Sequence, residues 1–168
     1  MDKNIKDNFI PGVLNPTLRE FDENETFDFK NNMEKIPKFP SHIRQIIMQW
    51  EFITLVNLPK SLEYLECRYC ELDELPPLPA TLKVLIVDNN NLKKLPPLPP
   101  TLEFLHCPRN KIIELPELPP TLKYLHCGYN KLTSIAQLPN SLIRFLYYEN
   151  PIKAEPIIPT SVKYINDD

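Results

Sequence analysis

Glycine is almost missing from this chain, with 2 residues in 168. That excludes glycine-rich phosphate-binding loops and flexible linkers, which need backbone freedom other residues lack. A basic excess is missing too. The formal net charge is −3 and the sequence pI near 5.7, so nothing in the balance is built to hold nucleic acid or an anionic membrane. No apolar run approaches the roughly 18 residues needed to cross a bilayer. The opening Met1-Asp2-Lys3-Asn4-Ile5-Lys6-Asp7-Asn8-Phe9 is charged, with no apolar stretch behind it to act as a leader. The four cysteines lack the spacing of a secreted disulfide framework. These absences describe a soluble protein of a reducing compartment, with cytoplasmic placement expected.

Proline, by contrast, is abundant at 20 residues, and its positions recur in register. From Leu75 to Leu132 one pattern is written three times: LPPLPATLKVLIVDNNNL, LPPLPPTLEFLHCPRNKI and LPELPPTLKYLHCGYNKL. Leu82, Leu102 and Leu122 stand at a spacing of about 20 residues, the period of a leucine-rich solenoid. The register extends over 36–168, with coils anchored at Ile43, Leu62, Leu82, Leu102, Leu122, Leu142 and Val162. Residues 1–35 are less regular. Pro16-Thr17-Leu18-Arg19-Glu20-Phe21 copies the repeat as a degenerate first coil, and Phe9, Phe21, Phe27 and Phe29 are candidates to cap the open end of the core.

Alternation of period two assigns the faces. In Leu102-Glu103-Phe104-Leu105-His106-Cys107, the residues Leu102, Leu105 and Cys107 point into the core, and Phe104 and His106 point out of a short strand. Asn110 turns the chain, Ile112 and Leu115 dip back inside, and Leu118-Pro119-Pro120 returns extended. Proline fixes φ and removes a donor, so this return is polyproline-like rather than helix or sheet. The expected fold is a curved leucine-rich-repeat solenoid with a parallel sheet on its concave face, extended convex segments and little or no helix.

The pattern LPxLPxxLxxLxCxxNxL, with Asn90, Asn110, Asn130 and Asn150 at its turn, resembles the short bacterial-type leucine-rich repeat of YopM-like effectors and of the repeat part of IpaH-type ubiquitin ligases. The P-x-S/T-L-x-x-L core is also similar to FNIP-type repeats of amoebae and giant viruses, and the Lys-, Asn- and Ile-rich vocabulary fits an AT-rich genome such as a giant virus. The resemblance implies a protein-binding scaffold acting inside a host cell. Two features depart from it: residues 1–35 are neither long nor apolar enough for the YopM-like helical cap, and no large catalytic domain follows the repeats. Ligase activity therefore does not carry over.

Chemistry-bearing motifs dissolve into the repeat. Cys67-Arg68-Tyr69-Cys70 spells CxxC, but Cys67 holds the inward position of Val87, Cys107 and Cys127, and Cys70 holds the asparagine position. His106-Cys107 and His126-Cys127 resemble doubled metal half-sites, yet alternation points each histidine out and each cysteine in. The two histidines side by side would make a weak pH-sensitive patch. Cys70, Asn90, Asn110, Asn130 and Asn150 form a structural ladder that satisfies turn backbone groups. No catalytic constellation, metal site or cofactor is expected, and an open sheet excludes water poorly.

Function is expected on the outward strand positions. One column reads Gln45, Tyr64, Val84, Phe104, Tyr124, Arg144, Tyr164, and the next Ile47, Glu66, Ile86, His106, His126, Leu146, Asn166. A third includes Arg68, Asp88, Pro108, Gly128 and Tyr148. Solvated strand faces normally carry charged and small polar residues, so an aromatic and aliphatic patch marks a binding surface. The candidate partner-binding residues are Tyr64, Val84, Ile86, Phe104, His106, Tyr124, His126, Leu146 and Tyr148. The expected function is non-enzymatic binding of a protein or peptide, with no nucleic acid or membrane partner. The alternatives are a substrate-recruiting adaptor for a separately encoded ubiquitin ligase and self-association through the concave face.

Overall fold

The proline-leucine phrase produces the coil mechanically. Each anchor amide closes a tight turn onto the proline carbonyl three residues earlier, as in Leu82 N–H to Pro79 at 3.0 Å and Leu122 N–H to Pro119 at 3.0 Å. The turn aims the next few residues at the preceding coil as a strand. A computed structural model describes residues 26–28 (backbone only), 39–50, 54–135 and 137–166. The proposed cap at 1–35 lies outside these, apart from one strand.

Among the described residues eight parallel strands form one sheet in chain order. They are β1 Thr26–Asp28, β2 Gln45–Gln49, β3 Tyr64–Arg68, β4 Val84–Ile86, β5 Phe104–His106, β6 Tyr124–His126, β7 Arg144–Leu146 and β8 Tyr164–Ile165. The register follows the repeat: Tyr64 stands beside Val84, Val84 beside Phe104, and Phe104 beside Tyr124. β1 falls inside the aromatic and acidic run 21–29, and the repeat-like Pro16–Phe21 lies outside the described residues. No helix is assigned among the described residues, and none is long and apolar enough to cross a membrane.

The core is the interior of the coil. Leu62, Leu82, Leu102, Leu122 and Leu142 are fully buried, as are Leu65, Leu85, Leu105 and Leu125 one position into each strand. Each such side chain contributes about 1.5–3 kcal/mol by leaving water. Leu92, Ile112 and Leu132 close the coil beyond the asparagine turn. Toward the C-terminal end the code changes. Phe145 replaces leucine and stacks at 4.6 Å on Tyr147, which replaces Cys127 and donates its hydroxyl to Glu155. Larger rings cover core where small inward residues served the middle coils.

Two side-chain ladders join the coils. Asn110 Nδ2 donates to the Val87 carbonyl one coil back and to Cys107 and Pro108 in its own coil, and its Oδ1 accepts from Leu92 N–H at 3.0 Å. Asn90, Asn130 and Asn150 repeat this arrangement. Cys70 substitutes weakly, its thiol reaching the Arg68 carbonyl at 3.2 Å. The second ladder, absent from the sequence reading, is made by hydroxyls. The single hydroxyl proton of Thr81, Thr101 and Thr121 is in each case shared between two carbonyls of the preceding coil, for Thr121 those of Pro100 and Leu102, both at 2.7 Å. Thr121→Val should therefore cost about 1–2 kcal/mol in urea denaturation. Thr121→Ser should cost little, since Ser61 makes the same pair of bonds.

Backbone strain recurs with the same period. Tyr69, Asn89, Arg109, Tyr129 and Glu149, each just before the ladder position, all have φ between 52° and 56°. Asparagine tolerates this left-handed region, but the bulkier residues carry a penalty of about 1–2 kcal/mol each. The asparagine bonds on either side hold it.

Candidate functional site

The outward face of the sheet, on the concave side, is assembled one residue per coil. Strands about 4.8 Å apart bring equivalent side chains into contact. Phe104 and Tyr124 stack with centroids 4.1 Å apart and planes 6° from parallel, and the Arg144 guanidinium lies 6.0 Å from the Tyr124 centroid. His106 and His126 meet edge to face at 4.7 Å, and His126 touches Tyr148 at 5.4 Å. All nine residues expected to bind a partner thus lie on or beside this face.

They are not equally accessible. Tyr64, Val84 and Ile86 pack into a second apolar cluster with Ile47 and Phe104, leaving Val84 and Ile86 only 5% and 6% exposed. His126 and Leu146 are buried as well. Large residues on successive strands cover one another's flanks, so a column that reads as surface becomes a thin layer of core. The half-buried members Phe104, His106, Tyr124 and Tyr148 present the open part.

A polar network adjoins the apolar cluster. Glu66 is buried and accepts from Tyr64 Oη at 2.5 Å, Arg68 Nε at 2.7 Å and Gln49 Nε2 at 3.0 Å. Arg68 bridges on to Asp88 at 3.1 Å. Burial and then the Glu66 charge push the Tyr64 hydroxyl up, so it stays a neutral donor. Neither Glu66 nor Arg68 stands out in the sequence; only the register places them together.

The histidines do not converge on a common point. His106 Nε2 lies 3.7 Å from Asp88, whereas His126 Nε2 faces Gly128, where an added Cβ would sit 3.1 Å away. The missing side chain of Gly128 is what lets His126 and Tyr148 close over that spot. Burial brings both imidazoles down to about 3, helped by Arg68 at His106 and by His106, Arg144 and Arg109 at His126. They are neutral across the range where a surface histidine would switch, which corrects the expectation of a pH-sensitive patch. Burial likewise holds the Cys67, Cys107 and Cys127 thiols in the protonated form. Burial pushes Cys107 up to about 12 and Cys67 well above its usual range, and none of the four cysteines is in a disulfide.

The ascending side just after the strands was missed by the sequence reading. Trp50 stacks on Tyr69 at 4.0 Å, and the Arg109 guanidinium sits 4.3 Å over the Tyr129 ring. Trp50, Tyr69 and Tyr129 are exposed and all three have positive φ. Aromatic residues in a position that favours glycine or asparagine were the available signal, but it shows only once the dihedral is known.

No family model matches the chain, and neither does any curated protein. Solved structures do. YopM from Yersinia enterocolitica superposes with a TM-score of 0.76 at 36% identity, over 78% of this chain and 30% of that one. YopM from Yersinia pestis, described as a leucine-rich effector protein, gives 0.52 at 35% identity, over 70% of this chain and 41% of that one. The leucine-rich-repeat domain of a Shigella effector gives 0.58 at 27% identity, over 84% of this chain and 57% of that one. The chain thus spans between about a third and somewhat over half of the structures it matches.

Proposed function

We propose that this chain, a leucine-rich-repeat solenoid of the short-coil type similar to YopM, is a non-enzymatic module that binds a protein or extended peptide on its concave face. The observation that carries this reading is the stacked pair Phe104–Tyr124, half-exposed at the centre of the sheet and continued by His106 and Tyr148. Aromatic rings anchored on rigid strands offer large contact area at small entropic cost, the property of interface hot spots. The buried members Tyr64, Val84, Ile86, His126 and Leu146 act as the base that holds the open rings in place. Glu66, Arg68 and Asp88 are paired within the polar network, and His126 is buried. By its likeness to YopM, the reading extends to a scaffold acting in the cytoplasm of a host cell, of bacterial or viral origin.

The test is affinity capture with the wild type and the Phe104→Ser/Tyr124→Ser variant side by side, circular dichroism checking the fold. The variant should lose specific partners by tenfold or more while keeping its spectrum. An unchanged capture profile overturns the reading. Light scattering on the same pair separates self-association through this face from capture of another protein.

A further inference from the structure

The two rims of the sheet treat charge in opposite ways. On the side just before the strands, cations of the first coils are neutralised from coil to coil: Glu63 pairs with both Arg44 and Lys83, and Glu103 pairs with Lys123 at 2.6 Å, while Lys163 at the far end stands beside Ile143. On the side just after the strands, Lys93, Lys94, Arg109, Lys111 and Lys131 are all exposed, and none makes an ion pair among the described residues. Backbone bonds between coils bring them together. Lys111 N–H donates to Leu92 at 2.9 Å, Ile113 N–H to Lys93 at 3.3 Å, and Lys131 N–H to Ile112 at 2.8 Å. Glu114 is the one carboxylate in the corresponding segments of these three coils. A chain of net charge −3 thus carries a local cationic strip.

The strip is densest in these three coils, and exposed Lys153, whose N–H donates to the Thr133 carbonyl at 3.1 Å, extends its edge into the next. In the preceding coil the places of Lys93 and Lys94 are taken by Asp73 and Glu74, and in the following coil the place of Arg109 and Tyr129 is taken by Glu149. Three coils span roughly 10 Å, the length of about three residues of extended peptide. The Arg109–Tyr129 stack, held at strained φ values of 54° and 52°, lies within it and adjoins Tyr148 of the concave face at 5.2 Å. A long polyanion would overrun the strip onto the flanking carboxylates, whereas a short acidic segment can keep its charges over the cationic coils.

We infer that this rim binds a short acidic segment of a protein partner, three to four carboxylates long, beside the concave aromatic site. The inference rests on the proposed protein-binding function and adds the chemistry of the partner. Arg109 forms the paired, oriented contact on its tyrosine shelf, and Lys111 and Lys131 supply the surrounding field.

The experiment is fluorescence anisotropy of a labelled tetraglutamate peptide flanked by Gly-Ser, at low salt. Decathymidylate and phosphatidylserine vesicles serve as the comparison polyanions. The wild type should bind the peptide, and Lys111→Gln/Lys131→Gln should weaken it at least tenfold. Lys83→Gln/Lys123→Gln on the paired rim should change it less than twofold. Absence of peptide binding, equal loss in both double variants, or tighter binding of decathymidylate or vesicles overturns the inference. Phe104→Ser/Tyr124→Ser should leave peptide affinity intact. Peptide binding retained while capture by the aromatic face fails would leave the acidic rim standing and remove the proposed function, and the reverse result would do the opposite.

Discussion

Asn110→Leu should destabilise the solenoid by about 2–4 kcal/mol in urea denaturation, although leucine is larger and more apolar. Asn110 is buried and spans two coils with four bonds. The carbonyl of Val87 would keep Asn90 as donor, and that of Cys107 would keep Asn130. The Leu92 amide would not be rescued. Asn110 Oδ1 is its acceptor, and an orphaned buried N–H costs about 1–3 kcal/mol. Arg109, at φ 54°, would also lose the turn that stabilises it. Against a typical total of about 5–15 kcal/mol the loss is large. Asn150→Leu, at a half-buried position, should cost about half as much because water can reach the freed groups. Equal losses at the two sites would contradict the ladder account.

Acid should weaken the fold well before ordinary carboxylates titrate. His106 and His126 are held at about 3 in the folded chain, against about 6.5 when unfolded. A base whose folded value is depressed contributes stability that is fully present above 6.5. That stability is lost as pH falls from 6.5 toward 3, because the unfolded chain takes up the protons first. Each histidine contributes a slope of about 1.4 kcal/mol per pH unit in that window. Because His106 keeps some contact with water and its charge contributes to the lowering of His126, the two together should remove about 2–4 kcal/mol by pH 4.5, less than the sum of independent sites. Glu63, lowered by its bonds to Lys83 and Arg44 despite the opposing effect of burial, adds to the same trend at more acidic pH. Chemical denaturation at pH 7.5, 6, 5 and 4.5 should show the decline, and His106→Gln/His126→Gln should flatten it. An unaltered slope in that variant would assign the acid sensitivity elsewhere.

The sequence made the framework legible because the framework repeats. An aliphatic residue at every anchor, leucine in all but Ile43 and Val162, a proline before each turn and an asparagine after most strands, with Cys70 in its place once, must each satisfy one recurring geometry, so register and facing followed from spacing. The same alternation places Cys67, Cys107 and Cys127 in the core and His106 and His126 side by side on the outward face. Whether the concave column binds a partner is a separate matter that repetition does not address. The threonine ladder was visible as the T of every LPxT phrase, yet a hydroxyl beside a turn reads as surface until its two carbonyl acceptors are in place. Burial of Val84 and Ile86 was not legible, because it depends on the size of neighbours 20 residues away in either direction. The strained φ of Tyr69, Arg109 and Tyr129 was hidden by residues that do not advertise it.

Strand pairing among the described residues joins each coil only to the coils before and after it. In statistical terms the chain is a linear lattice with nearest-neighbour coupling, and its stability is a sum over interfaces rather than the property of one indivisible centre. Disturbance at one coil decays within a neighbour or two, and melting enters from the ends. Length then becomes an adjustable quantity: coils can be gained or lost in whole units, lengthening or shortening the outward face while every remaining interface keeps its form.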